Sequence, residues 1–121
     1  MSEALILRWA NELTRTPLDA TKGRWPRVAA VLGRQALEDA MDRLWLASAP
    51  GVQHSSMRAQ LLCLSSYTDD ELADRVSYAY GGLTRACHHH AYELSPTTEE
   101  ITGWLDDVAA LIVVVDGTSP H

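Results

Sequence analysis

The chain has 121 residues and a mass of 13.3 kDa, the size of one ordinary domain and long enough to bury a core without disulfide or metal staples. Apolar residues make up 46% and charged residues 21%, which excludes an intrinsically disordered chain. Ten basic residues against sixteen acidic ones leave a net charge of −6. That balance argues against a constitutive, nonspecific binder of nucleic acid or anionic membrane, because polyphosphate is repelled overall.

Helical periodicity dominates, and no segment alternates as a strand would. The first helix is predicted from Ser2 to about Arg15, with Leu5, Trp9 and Leu13 spaced by four. A breaker-rich link follows from Thr16-Pro17 through Gly23, and Pro26 suits the first turn of the next helix. That second helix is predicted from about Trp25 to Ser48. Its apolar positions are Val28, Val31, Leu32, Ala36, Leu37, Ala40, Met41, Leu44 and Trp45, and Ala49-Pro50-Gly51 stops it. A third helix begins near Ser55 and carries Leu61, Leu62 and Leu64.

Thr68-Asp69-Asp70-Glu71 has the pattern of a capping box, in which the Thr oxygen and the Glu carboxylate satisfy reciprocal backbone amides. It opens a fourth helix reaching roughly Tyr92, with Leu72, Val76, Ala79, Leu83, Cys87 and His90 on one stripe, and Ser95-Pro96 ends it. A second capping box, Thr97-Thr98-Glu99-Glu100, starts the fifth helix. Ile101, Trp104, Leu105, Val108, Leu111, Ile112 and Val115 line that helix, and Gly117 closes it. The expected fold is all-α: a five-helix, mostly antiparallel bundle in one domain over 1–121, with its main body over about 24–116 and an N-terminal helix over about 2–15.

Charge is unevenly spread. Residues 1–60 hold eight basic and six acidic side chains, whereas residues 61–121 hold two and ten. Within the first half, Arg15, Lys22, Arg24, Arg27 and Arg34 face only Asp19 between Arg15 and Arg34. Arg24, Arg27 and Arg34 are therefore the candidate RNA-binding residues, beside the plainer reading of a solvated helix face. Trp25, flanked by Arg24, Pro26 and Arg27, could stack on a base, although packing at the start of the helix is the simpler role. Trp9, Trp45 and Trp104 fall on apolar stripes and are expected in the core.

Cys63 and Cys87 sit in predicted helices, with both thiols expected as small buried groups. The longest apolar run, Val108 to Val115, is far short of a membrane span, and the N-terminal segment lacks a secretory pattern. A reducing, cytoplasmic location is the expectation. Arginine outnumbers lysine nine to one, a usage associated with GC-rich bacterial genomes. No Gly-rich phosphate loop, nucleophile elbow or Cys-x-x-Cys pair is present, and no cofactor is expected.

The segment Gly81-Gly82-Leu83-Thr84-Arg85-Ala86-Cys87-His88-His89-His90-Ala91-Tyr92 carries the chemistry. Histidine is the side chain readiest to exchange protons near neutral pH. Arginine is a fixed planar cation suited to a phosphate or its pentacoordinate transition state. Together they are what metal-free phosphodiester cleavage needs. On an ideal helix Arg85 and His89 lie roughly 40° apart, whereas Arg85 and His90 lie roughly 140° apart, with His90 on the apolar stripe. His90 as a satisfied core histidine is the plain alternative. Cys87 and His90 also share a face, but consecutive histidines fan around a helix, so no metal centre is expected.

Tyr78, Gly81, Gly82, Arg85, His89 and Tyr92 form an unusual outer face. Each glycine costs a helix about 1 kcal/mol relative to alanine. Close approach of another backbone would account for them, so a symmetric homodimer through the fourth helix is expected.

Arg85-Ala86-Cys87-His88-His89-His90 resembles the Arg, four-to-six residues, His signature of the HEPN superfamily. Arg34-Gln35-Ala36-Leu37-Glu38 followed by Leu44-Trp45 is similar to that family's early helix. The likeness covers about residues 24–116, and Ala86 stands where many active members carry Asn, Asp or His. The resemblance implies a dimeric, metal-independent endoribonuclease of the toxin–antitoxin kind, with an antitoxin-like protein partner. In such a site Arg85 stabilises the phosphorane and His90, by position, assists attack of the ribose 2′-hydroxyl. Geometry keeps His89 as the contender. The alternative is a non-catalytic helical module, antitoxin-like, scaffolding or regulatory, that binds a protein partner.

Overall fold

A proline in the first turn of a helix sacrifices no intrahelical hydrogen bond, and Pro26 occupies that place in the longest helix of the chain. The computed structural model describes residues 2–15, 25–88 and 95–118. Over these residues the chain forms α1 (Glu3–Arg15), α2 (Trp25–Ser48), α3 (Met57–Cys63), α4 (Asp70–Cys87) and α5 (Thr98–Thr118). Single 3-10 turns over Val52–His54 and Leu64–Ser66 flank α3, and no strand is present among the described residues. No helix among them is long and apolar enough to cross a membrane.

Helix directions follow from side-chain pairs. Arg43, late in α2, reaches Glu3 at the start of α1 and Asp116 near the end of α5, so α1 runs against α2 and α5 runs alongside it. Arg75 meets Asp107 while Gly82 meets Trp104, so α4 runs against α5. Arg34 lies over Tyr80, and Trp45 meets Tyr67 just before α4, so α2 and α4 are antiparallel. The four long helices thus alternate around a bundle, with neighbours antiparallel.

One diagonal of that bundle is short. The parallel pair α2 and α5 is in direct contact, whereas α1 and α4 each pack on both of them and scarcely touch one another. The cause lies in the inner face of α2, where Ala29, Gly33, Ala36 and Ala40 are buried. A Cβ on Gly33 would come within 2.6 Å of Leu105 Cδ2 and 3.3 Å of Leu83 Cδ2. Small residues let the helices close up, and larger ones fill the rest of the core. Trp45, Leu37, Met41, Leu44, Leu83, Leu105 and Leu111 are all fully buried there.

Several boundaries depart from expectation. α4 is capped by Asp69, whose carboxylate accepts from the Leu72 amide at 2.7 Å, not by a Thr68–Glu71 box. An aspartate at the cap also places negative charge at the positive end of the helix dipole. The Thr97–Glu100 box at the start of α5 forms as expected, with both reciprocal bonds at 3.0 Å. α5 continues through Gly117 to Thr118, because no left-handed residue stops it there. Gly51 does stop the segment after α2, at φ 110°.

Exposure corrects three further expectations. In α1 the buried side is Ile6, Leu7, Ala10, Leu13 and Thr14. Trp9 is 57% exposed and Leu5 40%, so neither belongs to the core. In α2, Val28 and Val31 face outward, and Ala29 and Ala30 take their place. Cys63 is exposed and Cys87 half-buried, so the thiols are not both core groups.

α3 is short and held from below. Its Ser56 side chain caps it by accepting from the Ala59 amide at 3.2 Å. Buried Gln60 accepts from the Trp45 indole at 2.9 Å and donates to the Ser55 carbonyl at 2.9 Å. Every polar atom that Trp45 and Gln60 bring inside is thereby satisfied.

Candidate functional site

The last two turns of α4 carry the sequence's candidate chemistry, and they split into two faces. On the inner side, Tyr80 and Cys87 meet Arg34 from α2. The Arg34 guanidinium donates to Glu38 at 2.9 Å and lies 5.4 Å from the centre of the Tyr80 ring. The bond to Glu38 raises the Arg34 pKa above its ordinary value, against the opposing effect of burial. Burial pushes the Cys87 thiol up, and the neighbouring Arg34 pulls it partly back. Arg34 is thus engaged within the α2–α4 seam by a carboxylate and a ring. Arg27, one of the other basic candidates, also acts on the Cys87 thiol, while Arg24 lies outside the described residues.

Arg85 is on the other side, roughly 140° around the helix from Tyr80 and roughly 160° from Cys87. It is exposed and makes no ion pair with the described residues. Its guanidinium folds back along the helix over Gly81, where an added Cβ would lie 3.4 Å from Nη1. Thr84 beside it has its hydroxyl oxygen buried without a hydrogen bond among the described residues. His88, also exposed, flanks the C-terminus of α4, and its amide donates to the Arg85 carbonyl at 3.1 Å. α4 ends at Cys87, with His88 as its C-cap at φ −106° and ψ 21°, short of the expected Tyr92; His89 and His90 lie outside the described residues.

Gly82 has an intrachain explanation. It is buried, and a Cβ there would run into the Trp104 indole of α5. Gly82 thus does not belong to an outer Gly-Gly face awaiting another backbone. It is the flat place on α4 against which a large core ring packs. Gly81 alone remains on the outer side, beside Arg85 and the exposed ring of Tyr78.

The acidic pairs have structural work. Asp69 caps α4, and Asp107 ties α5 to Arg75 at 2.8 Å. Trp25 is half-buried against the core. Sequence reasoning missed the Leu5–Trp9 patch on α1, because Leu5-Trp9-Leu13 and Ile6-Ala10-Leu13 are both helical spacings and the larger side chains favour the wrong one. It also missed the contact of Arg34 with Tyr80 and Cys87. That pairing joins residues 46 and 53 positions apart, and no local pattern signals it.

No protein-family model, curated protein or solved structure matches this chain.

Proposed function

We propose that the C-terminal end of α4 is a HEPN-like, metal-independent ribonuclease site, built on Arg85 and the histidine run that begins at His88. The observation that carries this reading is an exposed arginine without a carboxylate partner among the described residues, although ten acids share its half of the chain. Such a cation is open to a phosphate, and His88 is joined to it by a backbone hydrogen bond. In the reaction, His90, or His89 in its place, accepts the proton of a ribose 2′-hydroxyl as its oxygen attacks the adjacent phosphorus. Arg85 stabilises the charge that builds on the phosphorane, the P–O5′ bond breaks, and the departing 5′-oxygen takes up a proton from water. Arg24 and Arg27 supply further phosphate contacts, with Arg34 already committed to Glu38 and Tyr80. Two free thiols, one of them exposed, suit a reducing compartment such as the cytoplasm.

The test is cleavage of a mixed RNA substrate in chelator-containing buffer by the parent, Arg85→Ala, His89→Ala and His90→Ala. The reading requires loss of activity in Arg85→Ala and in one histidine variant, each with an unchanged circular dichroism spectrum. A parent with no cleavage at any RNA concentration contradicts it.

A second reading, a non-catalytic module that binds a protein partner, draws on the exposed Leu5 and Trp9 of α1. A large indole in solvent is a feature of recognition surfaces. In a toxin–antitoxin arrangement the same patch would receive the partner protein, and α4 would remain open.

A further inference from the structure

From the outer face of α4 we infer that Tyr78 is the stacking platform for one unpaired base, so that the substrate class of the site is single-stranded RNA. The inference rests on the binding half of the ribonuclease reading, in which Arg85 holds a phosphate. It adds which part of the nucleotide meets which side chain.

Tyr78 is 68% exposed. The paired rings within the fold are Trp45 with Tyr67 and Tyr80 with Arg34, and no ring or cation among the described residues covers Tyr78. At about 100° per residue, Tyr78 and Arg85 lie roughly 20° apart, on one stripe of α4. That stripe faces away from the core, because Leu72, Val76, Ala79, Leu83 and Ala86 form the buried side.

Gly81 falls between the two in sequence and on nearly the same face. Apart from the helix's own backbone, only Arg85 Nη1, at 3.4 Å, lies near the place its Cβ would take. The Tyr78 ring and the Arg85 guanidinium thus border a shelf in which no side chain stands. Their Cα atoms are about 10.5 Å apart along the axis, and the fold-back of Arg85 over Gly81 takes up about half of that. Both side chains lean towards the helix N-terminus, which leaves a gap of about 5 to 10 Å between guanidinium and ring. A single nucleotide spans it, with its phosphate on Arg85 and its base on Tyr78.

Charge decides how the strand lies. Asp74, exposed one turn before Tyr78, has no cation paired to it among the described residues. Asp70 and Glu71 begin the helix beyond it. A phosphodiester is repelled from that end. The strand therefore stops at Tyr78 with an uncharged base and continues from Arg85 towards the histidine run. A base inside a duplex has both faces covered by its neighbours, so only an unpaired nucleotide offers a face to the ring.

Fluorescence anisotropy with an all-2′-O-methyl RNA of about twelve nucleotides, a length typical of single-strand sites, tests the inference on the full chain. No 2′-hydroxyl is free to attack, so binding is read without cleavage. Tyr78→Ala should raise Kd about tenfold or more, the effect of one lost stacked base, and leave the salt dependence unchanged. Arg85→Ala should instead flatten the salt dependence by about one phosphate contact. Tyr78→Phe keeps the ring face and should restore binding. Gly81→Gln fills the shelf and should weaken binding without lowering the thermal midpoint, since glutamine is the better helix former. An abasic oligomer of equal length, or the annealed duplex, should not distinguish the parent from Tyr78→Ala. Binding that ignores Tyr78→Ala, or that Tyr78→Phe fails to restore, overturns the inference, and so does a parent that binds no RNA. A parent that binds with the expected pattern yet cleaves no RNA overturns the ribonuclease reading and leaves the nucleotide site standing.

Discussion

Two adjacent glycines in α4 have opposite roles, and the contrast can be measured. Gly82 lies against the Trp104 ring, where any Cβ collides with buried atoms. Gly82→Ala should destabilise the fold by about 2 kcal/mol or more, the range for overpacking a close-packed core. Gly81 is on the outer side, with only the flexible end of Arg85 near its missing Cβ. Gly81→Ala should stabilise by up to about 1 kcal/mol, the helix propensity of alanine over glycine. Urea unfolding of the two variants checks the signs; equal effects would remove the distinction. The thiols give a second contrast. Cys63 is exposed, while burial raises the Cys87 thiol and leaves it protonated further into alkaline pH. At about pH 8, near the ordinary thiol range, iodoacetamide should label Cys63 at least tenfold faster. For stability the sign follows. A folded-state thiol held above its unfolded value loses stability as pH rises past the unfolded value. The Gly-Gly pair shows how residue identity misleads. The sequence displays both as helix-weakening, and only the partner across the bundle separates them.

Helix ends depend on local cap chemistry, which was legible in the sequence at α5 and misleading at α4. At α5 the Thr97–Glu100 box was readable because no other cap residue precedes it in the right register. At α4, Thr68 and Asp69 are both good caps one residue apart, and Asp69 is the one that accepts from the Leu72 amide. Asp69→Ala should therefore cost about 1 kcal/mol, the usual value of a lost cap, whereas Thr68→Ala should change stability by no more than a few tenths. Thermal melts of both variants distinguish the caps, and a larger loss for Thr68→Ala would reverse the assignment. α2 was legible from Trp25 to Ser48 because Pro26 and Gly51 punctuate it strongly. Its inner face was not. Val28 and Val31 are larger than Ala29 and Ala30, yet the short diagonal to α5 requires small residues inside. Hydrophobic size marks a core face only when the neighbouring helix is at ordinary distance.

At the scale of the molecule, a helical bundle could be foreseen from periodicity, while the arrangement of its charges could not. Arg43 joins the start of α1, the end of α2 and the end of α5 through Glu3 and Asp116. These links span most of the chain and leave no local trace. The same holds for the basic candidates. Arg34 looked available for phosphate, but the fold commits it to Glu38 and Tyr80. Arg85 looked isolated among acids, and it stands exposed with no acid of the described residues paired to it. The net charge of −6 therefore limits where RNA could be held, to the end of α4 and the basic segment before and within α2. The most direct measurement is the rate of RNA cleavage in chelator by the parent and by Arg85→Ala of equal stability. Loss of one transition-state cation predicts a fall of about a hundredfold or more, with 2′,3′-cyclic phosphate ends on the parent's products. An inactive parent, or an Arg85→Ala variant as fast as the parent, would contradict the assignment of this site.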